Sequence, residues 1–594
     1  MNFRRKQCEA WTVQTLVVVF ACALTTFAAG APRVFQVDCE APARSATQSG
    51  DTTLHSLAEV NALTLQPGDQ VAFRRGSLCR GVLSPKGSGT ASASIRITSY
   101  GTGPRPRIEA SQKDEAAIDL RGQSYWEIDS LDITGSQAYG IRVLAEHGLV
   151  RHLILRDLTV HAVGNAGSKV SSKESGLVVV HATSPGAGFE DVLIDGIYAY
   201  DTSQWAGIIV SGSEGSLTTR NVIVRNSTVH DVQGDGIVLF QLDDGLIENS
   251  VAWHTGMQET ETIGTPNAIW AWACNRCTVR NNEAFLTDSP GVDGGAFDID
   301  YWNRDNAVLD NYAHDTQGYC VSVFGAFSPP TTASVIRGNL CIRNGLSPRL
   351  AQRQGAIFLA TWRDGSIDGV QIERNTIYFD PPGDYAAIRA GAELRARNVA
   401  FDGNVIDATS VRVVSPGLQA AFEHGQNRVT HEGPGSIANP VAAGDSAPSW
   451  AIALAAAGKT GTWRLVAAIP ATMGDGLPRA AAGALTLLRS QALQYSRESL
   501  QVIVACRCNA GQRAALEADW RLADAGITLV ELADDSPQPG AVALLTPDLH
   551  LAGSWHGSLT PVGLGLALRA SLGTPRFAGL PAAQLSESVH VPQP

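Results

Sequence analysis

The sequence predicts a mainly β molecule, a parallel β-helix solenoid followed by a small α/β domain. Three observations carry that expectation. Apolar alternation recurs along residues 32–430 in a repeat whose length wanders between about 23 and 38 residues, with no helical period. An Asn or Asp stands at the same place in successive copies. Past about residue 430 the repeat stops, and strand-like runs begin to alternate with helical spacing. A β-propeller of tandem hairpins is the competing reading, but its blade period should be steadier.

The 594 residues are 44% hydrophobic and 17% charged, so the chain can bury a large core and wholesale disorder is excluded. The formal charge is −12 and no Lys/Arg run occurs, which excludes a nucleic-acid partner, since phosphate binding needs a basic footprint. Only six lysines occur, and none lies between Lys173 and Lys459.

Residues 1–31 read as a signal peptide. Arg4, Arg5 and Lys6 form its basic start, Thr12 to Ala29 is almost uninterruptedly apolar, and Ala29-Gly30-Ala31 offers a small-x-small cleavage site. The rival is a transmembrane anchor at the lower limit of spanning length. Cleavage predicts a secreted or periplasmic monomer without a membrane attachment. Eight cysteines then remain, an even number that favours disulfides in an oxidising compartment. Cys39 with Cys79 is the expected staple of the N-terminal cap. Cys274 and Cys277, followed by Cys320 and Cys341, allow a zinc site or disulfides, and their wide spacing matches no compact zinc module.

In each repeat a strand such as Gly236-Ile-Val-Leu-Phe240 is followed by a turn and a second strand ending in Asn or Asp. Those ends align as Asp157, Asp195, Asn226, Asn249, Asn282, Asn311, Asn339, Asn375 and Asn404. Asn tolerates a left-handed backbone, and its amide can hydrogen-bond to the next coil, so the alignment predicts a ladder along one corner.

The segment Leu65-Gln-Pro-Gly-Asp-Gln-Val-Ala-Phe-Arg-Arg-Gly-Ser-Leu-Cys-Arg-Gly81 resembles the N-terminal entry of the pectate-lyase-like right-handed β-helix superfamily. So do Gly87-Ser-Gly-Thr90, Ile95-Arg-Ile-Thr-Ser-Tyr-Gly101 and Pro104 to Ile108. The resemblance spans residues 34–430 and implies a right-handed parallel β-helix that is exported. It implies little about chemistry, because the superfamily hosts lyases, hydrolases, epimerases and non-catalytic adhesins. The Asn-Thr-Asp, Gly-His-Gly and Arg-Ile-Lys motifs of polygalacturonases are missing, and so is the arginine run of pectate lyases.

Stacking the first strands by their alternation points one outward column at Arg142, Ile209, Val238, Trp270, Asp298, Ser322 and Phe358. The next reads Leu144, Ser211, Phe240, Trp272, Asp300, Phe324 and Ala360. This predicts a sugar-binding groove. Trp270, Trp272 and Phe324 would offer flat faces to pyranose rings, and Asp298, Asp300 and Asp293 would accept hydroxyl hydrogen bonds or move protons. The plainer alternatives are tryptophans buried under a loop and a solvated acidic strand, although Asp is a poor strand former. Carboxylates at i and i+2 lie about 6.6–6.8 Å apart at the backbone, which suits glycoside hydrolysis of either stereochemistry. The same atoms could bind Ca²⁺, with Asp243, Asp244, Glu259, Glu261 and Asp305 nearby. The loop Gly256-Met-Gln-Glu-Thr-Glu-Thr-Ile-Gly-Thr265 would wall the groove.

The expected activity is therefore hydrolysis of a polysaccharide by paired Asp. Two alternatives stay open: a Ca-dependent polysaccharide lyase, and a non-catalytic glycan-binding surface protein. The lysine-free stretch removes one common lyase base and leaves Arg304, His314 and Tyr301; Arg304 and His314 are also candidate substrate contacts. His254 and His314 follow coil corners, where packing is the ordinary role of a histidine.

Residues 431–449 are rich in Gly, Pro, Ala and Ser and read as a linker. Residues 450–594 then follow in the order β-α-β-α-β-β-α, which over 460–575 resembles a thioredoxin-like fold in topology. No Cys-x-x-Cys opens the first helix, and Cys506-x-Cys508 follows the second strand instead, so a redox-dead accessory domain is expected over an active oxidoreductase.

Overall fold

The computed structural model describes residues 32–41, 53–165, 170–257, 264–353, 355–380, 385–408, 412–431, 447–469, 479–532, 540–556, 559–577 and 580. The expected signal peptide and nearly all of the expected linker lie outside the described residues, as do Glu259 and Glu261.

Among the described residues, three parallel sheets of 14, 10 and 13 strands run the length of the solenoid, and successive coils add one strand to each. The first sheet runs from Thr53–Leu54, which pairs with Val34–Val37, to Ala396–Asp402, the second from Ala116–Arg121 to Ile388–Ala390, and the third from Leu78–Arg80 to Arg428–Thr430. The interior is filled by like residues in register. Ile141, Val178, Ile208, Ile237, Ile269, Phe297, Val321 and Ile357 form one such column, all fully buried.

The outward register is the one the alternation predicts, with one coil added. The Gly176–Ala182 strand enters between Arg142 and Ile209, bringing Val179 and His181 outward. Its run Leu177-Val-Val-Val180 is apolar throughout, so period-two alternation cannot reveal it.

The corner Asn residues form a ladder, but two positions share it. The Asn282 amide donates to Asn311 Oδ1 at 3.1 Å, Asn311 to Asn339 at 3.0 Å, Asn339 to Asn375 at 3.0 Å and Asn375 to Asn404 at 2.9 Å. Asp157, Asn226 and Asn249 instead take the left-handed position one residue earlier, with φ of 51°, 52° and 51°, and Asp195 stands one residue earlier still, level with Arg156 and Arg225, where Gly196 takes the left-handed turn. In those coils Ser227 and Ser250 stand on the ladder, and the Ser250 backbone N–H donates to Asn282 Oδ1 at 2.9 Å. Asn serves both places because it tolerates φ > 0 and also carries a donor and an acceptor. Sequence alignment merges the two roles.

Among the described residues the cysteines are paired as Cys39–Cys79, Cys274–Cys277, Cys320–Cys341 and Cys506–Cys508. The first is the expected staple of the cap, and the next two take the disulfide alternative over zinc.

The C-terminal domain has a five-stranded mixed sheet in the order Ile527–Glu531, Leu500–Cys506, Trp463–Ile469, Ala541–Leu545, Leu551–His556. The first three strands are parallel and the last two add antiparallel neighbours. Helices Arg479–Gln494, Ala510–Trp520 and Pro561–Leu572 come in the expected order, and one further helix, Ser449–Ala455, which the expected order lacks, precedes the first strand. Asn509 and Gln512 close a capping box, and Thr560 caps the last helix ahead of Pro561.

This domain is docked on the outer face of the third sheet. There His161, Tyr200, His230, Trp253, Phe285 and His314 occupy one register position in successive coils and stack with centroids 5.0, 5.2, 4.3, 5.5 and 4.9 Å apart. Arg489 lies 3.5 Å above the Tyr198 ring, Phe577 stacks on Phe285, Gln491 and Gln494 each donate to Glu283 Oε1 at 2.8 Å, and Arg569 pairs with Asp315 at 2.7 Å.

Candidate active site

The outer face of the second sheet carries a cavity of about 960 Å³. Strand alternation supplies its floor: His181, Ser211, Phe240 and Trp272 are register partners, and Asp300 and Phe324 continue the row. Lys173 and Glu174 border one end, and Tyr301, Phe327 and Trp362 border the other. Two smaller cavities, of about 510 and 480 Å³, lie at the seam with the C-terminal domain. Much of the charge there is consumed in ion pairs such as Arg75–Asp519 at 2.5 Å and Arg96–Asp129 at 2.8 Å, which favours the large cavity as the site.

The predicted site residues separate into three groups. Asp300, Asp293, Trp270, Trp272 and Phe324 all line the cavity. Asp300 is half-buried at the end of the Phe297–Ile299 strand, and its Oδ1 accepts from the Tyr301 backbone N–H at 2.8 Å. Asp293 is buried at a left-handed turn with φ 70°. Trp272 stands edge-on to Phe240 and Tyr301, at 5.4 and 5.6 Å. Phe324 is wedged edge-on against Phe358 and Trp362, at 5.7 and 5.4 Å.

Asp298 is placed differently from the expectation. It occupies the predicted outward column but is 1% exposed and is not part of the cavity lining. It accepts from Ser322 Oγ at 2.6 Å and from the Asn267 amide at 3.3 Å. The side chain points away from the solenoid core yet is covered by the chain around it. Outward is not the same as exposed.

Arg304 and His314 stand outside the cavity lining altogether. Arg304 bridges Asn275 and Thr332 at the edge of the first sheet, and its exposed side chain faces Asp305 at 3.6 Å. His314 is fully buried on the third sheet, between Asp315 at 2.8 Å and Glu283 at 3.2 Å. It is a packing histidine of the domain seam, where the aromatic column needs a flat ring.

The calcium alternative draws on carboxylates that are engaged. Asp243 pairs with Arg276 and Asp305 with Arg304. Among the described residues, no three His, Cys, Asp or Glu side chains are grouped as a metal would need.

Several lining residues escaped sequence reasoning. Lys173 and Glu174 come from the segment before the coil that the alternation hid, and His181 from that coil itself. Burial lowers the His181 pKa against the opposing charge of Glu174, so its imidazole is neutral at neutral pH. Burial, aided by the charge of Asp300, pushes the Tyr301 phenol up to about 12, which keeps its hydroxyl a donor.

Residues 116–377 match the family model described as the right handed beta helix region. The solenoid is a right-handed parallel β-helix. No curated protein matches the chain. Among solved structures, this β-helix is similar to the GH136 lacto-N-biosidase from Eubacterium ramulus, with 20% identity, 67% of this chain and 68% of that one covered, and a TM-score of 0.47. An alginate lyase from Paenibacillus sp. str. FPU-7 has 17% identity over 67% of this chain and 98% of its own, with a TM-score of 0.30. A mannuronic acid specific polysaccharide family 6 lyase from human gut microbiota has 10% identity, covering 67% and 92%, with a TM-score of 0.37. At these identities and scores none of them lends the β-helix an activity.

Proposed function

We propose that this chain is an exported enzyme that hydrolyses a polysaccharide in the cavity of the second sheet, with Asp300 and Asp293 as its proton-transferring carboxylates. The observation that carries this reading is the convergence of both carboxylates with Trp270, Trp272 and Phe324 on one cavity of about 960 Å³. The lining is drawn from seven successive coils, from the Gly176–Ala182 strand to Ile357–Trp362. At ~4.8 Å per strand that is roughly 29 Å, long enough for several sugar rings of a polymer. Glu174, Glu214, Asp293 and Asp300 outnumber Lys173 and Arg363 in the lining, which favours a neutral glycan over a polyuronate. Export rests on the basic-then-apolar start of the sequence and on four disulfide pairs in the fold.

One observation favours the lyase alternative. Lys173, the last lysine before the lysine-free stretch, lines the cavity and offers β-elimination the base that the stretch was expected to lack. Product analysis on a polysaccharide panel separates the readings. Hydrolysis releases new reducing ends without ultraviolet-absorbing unsaturated sugars, elimination releases both, and a binding protein releases neither. An unsaturated product that disappears in Lys173→Ala would replace the hydrolase reading with the lyase one.

A further inference from the structure

Beneath the groove wall lies a carboxylate that the proposed chemistry leaves unused. Asp235 just precedes the Ile237–Phe240 strand and is fully buried. Its Oδ1 accepts from the Trp270 indole at 2.8 Å and from the Asn267 backbone N–H at 3.0 Å, and its Oδ2 accepts from the Trp205 indole at 2.6 Å. Trp205 is itself fully buried and fits only because residue 234 is glycine, whose added Cβ would sit 2.2 Å from the indole ring. Asn267 carries the network onward: its amide donates to Asp298, and its Oδ1 accepts from Gly295 N–H at 2.9 Å and Tyr319 hydroxyl at 2.8 Å.

A buried anion is costly, and an apolar side chain of similar size would ordinarily cost less. What the anion offers here is a pair of oxygens that both accept. Two indoles approach from two sides, and each brings a donor only. An asparagine would turn its own N–H₂ toward one of them, and a protonated acid would turn its O–H.

We propose that Asp235 is a positioning residue: as an anion it clamps the Trp205 and Trp270 indoles together, and through Trp270 it sets the wall against which a sugar ring packs. The kinetic consequence rests on the glycan-cleaving reading of the cavity; the clamp itself does not. The charged groups that bear on it are Lys173, which favours the anion, and, across Asn267, Asp298. Burial raises the Asp235 pKa to about 6, against the pull of its three donors and Lys173. The clamp is therefore complete above that pH and is lost as pH falls through it.

The test begins without substrate. Near-ultraviolet circular dichroism of the full chain should titrate with a midpoint near 6. Trp205→Phe removes a donor that favours the anion and should move that midpoint upward, while Asp235→Asn should abolish the transition. On a cleaved polysaccharide, Asp235→Asn should raise KM roughly tenfold, the equivalent of one lost buried hydrogen bond, with kcat changed less than about twofold. Adding Trp205→Phe to Asp235→Asn should recover most of that loss, because the new amide N–H₂ no longer meets an N–H. A wild-type signal that is flat across this range would overturn the clamp, as would a double variant no better than Asp235→Asn. Intact titration in a protein that cleaves nothing would instead sink only the functional reading.

Discussion

Two outward faces of one solenoid carry the same kind of column and end differently. On the third sheet, rings from His161 to His314 stack in register, and the C-terminal domain seals them with Arg489, Phe577 and Arg569. On the second sheet, Phe240, Trp272 and Phe324 share a row with polar residues, and a cavity is left above them. Loops close part of that face, and under them Asp298 and Trp205 are buried. A row of outward aromatics thus marks a surface to be covered in both cases. The third sheet is covered by the chain's own domain. The second keeps an open cavity, where the proposed function places the glycan.

The comparison can be broken in several places. The largest effect is expected within the second face, between two aspartates two residues apart. Asp300→Asn should lower kcat by about 10²–10⁴-fold, as loss of a positioned proton-transfer group does. Asp298→Asn should act mainly on thermal unfolding, because its partners are Ser322 and Asn267. Equal kinetic losses in the two variants would return Asp298 to the groove floor. Next is the seam. Phe285→Ala should cost about 3–5 kcal/mol in denaturant unfolding and loosen the C-terminal domain, while leaving KM near its wild-type value.

The seam should also be acid-labile. Burial would raise the Asp315 pKa, but Arg569, His314 and Arg343 outweigh burial and hold its carboxyl well below the usual range; the His230 and His254 partners do the same for Asp231. Both are depressed carboxylates, so their contribution is full above about pH 4 and is lost as pH falls further toward their folded values. Hydrogen exchange in the Arg479–Gln494 helix should accelerate in that window, and unchanged protection would detach these groups from the docking. On the ladder, Asn311→Ala should cost about 1–3 kcal/mol by leaving buried partners unpaired without abolishing the fold. The smallest effect is Arg304→Ala, expected within about 0.5 kcal/mol in stability and without kinetic change, since it is an exposed side chain.

How far each part was legible in sequence follows from its periodicity. The columns from Ile141 to Ile357 and the outward positions of Trp270 and Trp272 follow from period-two alternation, which a parallel stack repeats at every coil. The Asn ladder was visible as a recurrence, but its two positions were not separated, because one residue type meets both demands. The Leu177-Val-Val-Val180 coil has no alternation, and with it went His181 and the adjoining Lys173 and Glu174. Asp235 and Asn267 lie just before strands, where no periodic signal operates.

By itself the sequence determined which residues face inward and which outward wherever the strands alternate, and the order of elements in the C-terminal domain from Trp463 onward, and it pointed to the N-terminal Cys39–Cys79 staple. These depend on local alternation, on caps such as Asn509 and Thr560, and on even cysteine counting. Tertiary structure alone decided which outward residues stay accessible. It buried Asp298 and left Asp300 at the cavity, though the two share a strand face, and it assigned His314 to a domain seam. Exposure depends on what packs from elsewhere in the chain, and a side-chain period of two carries no information about that.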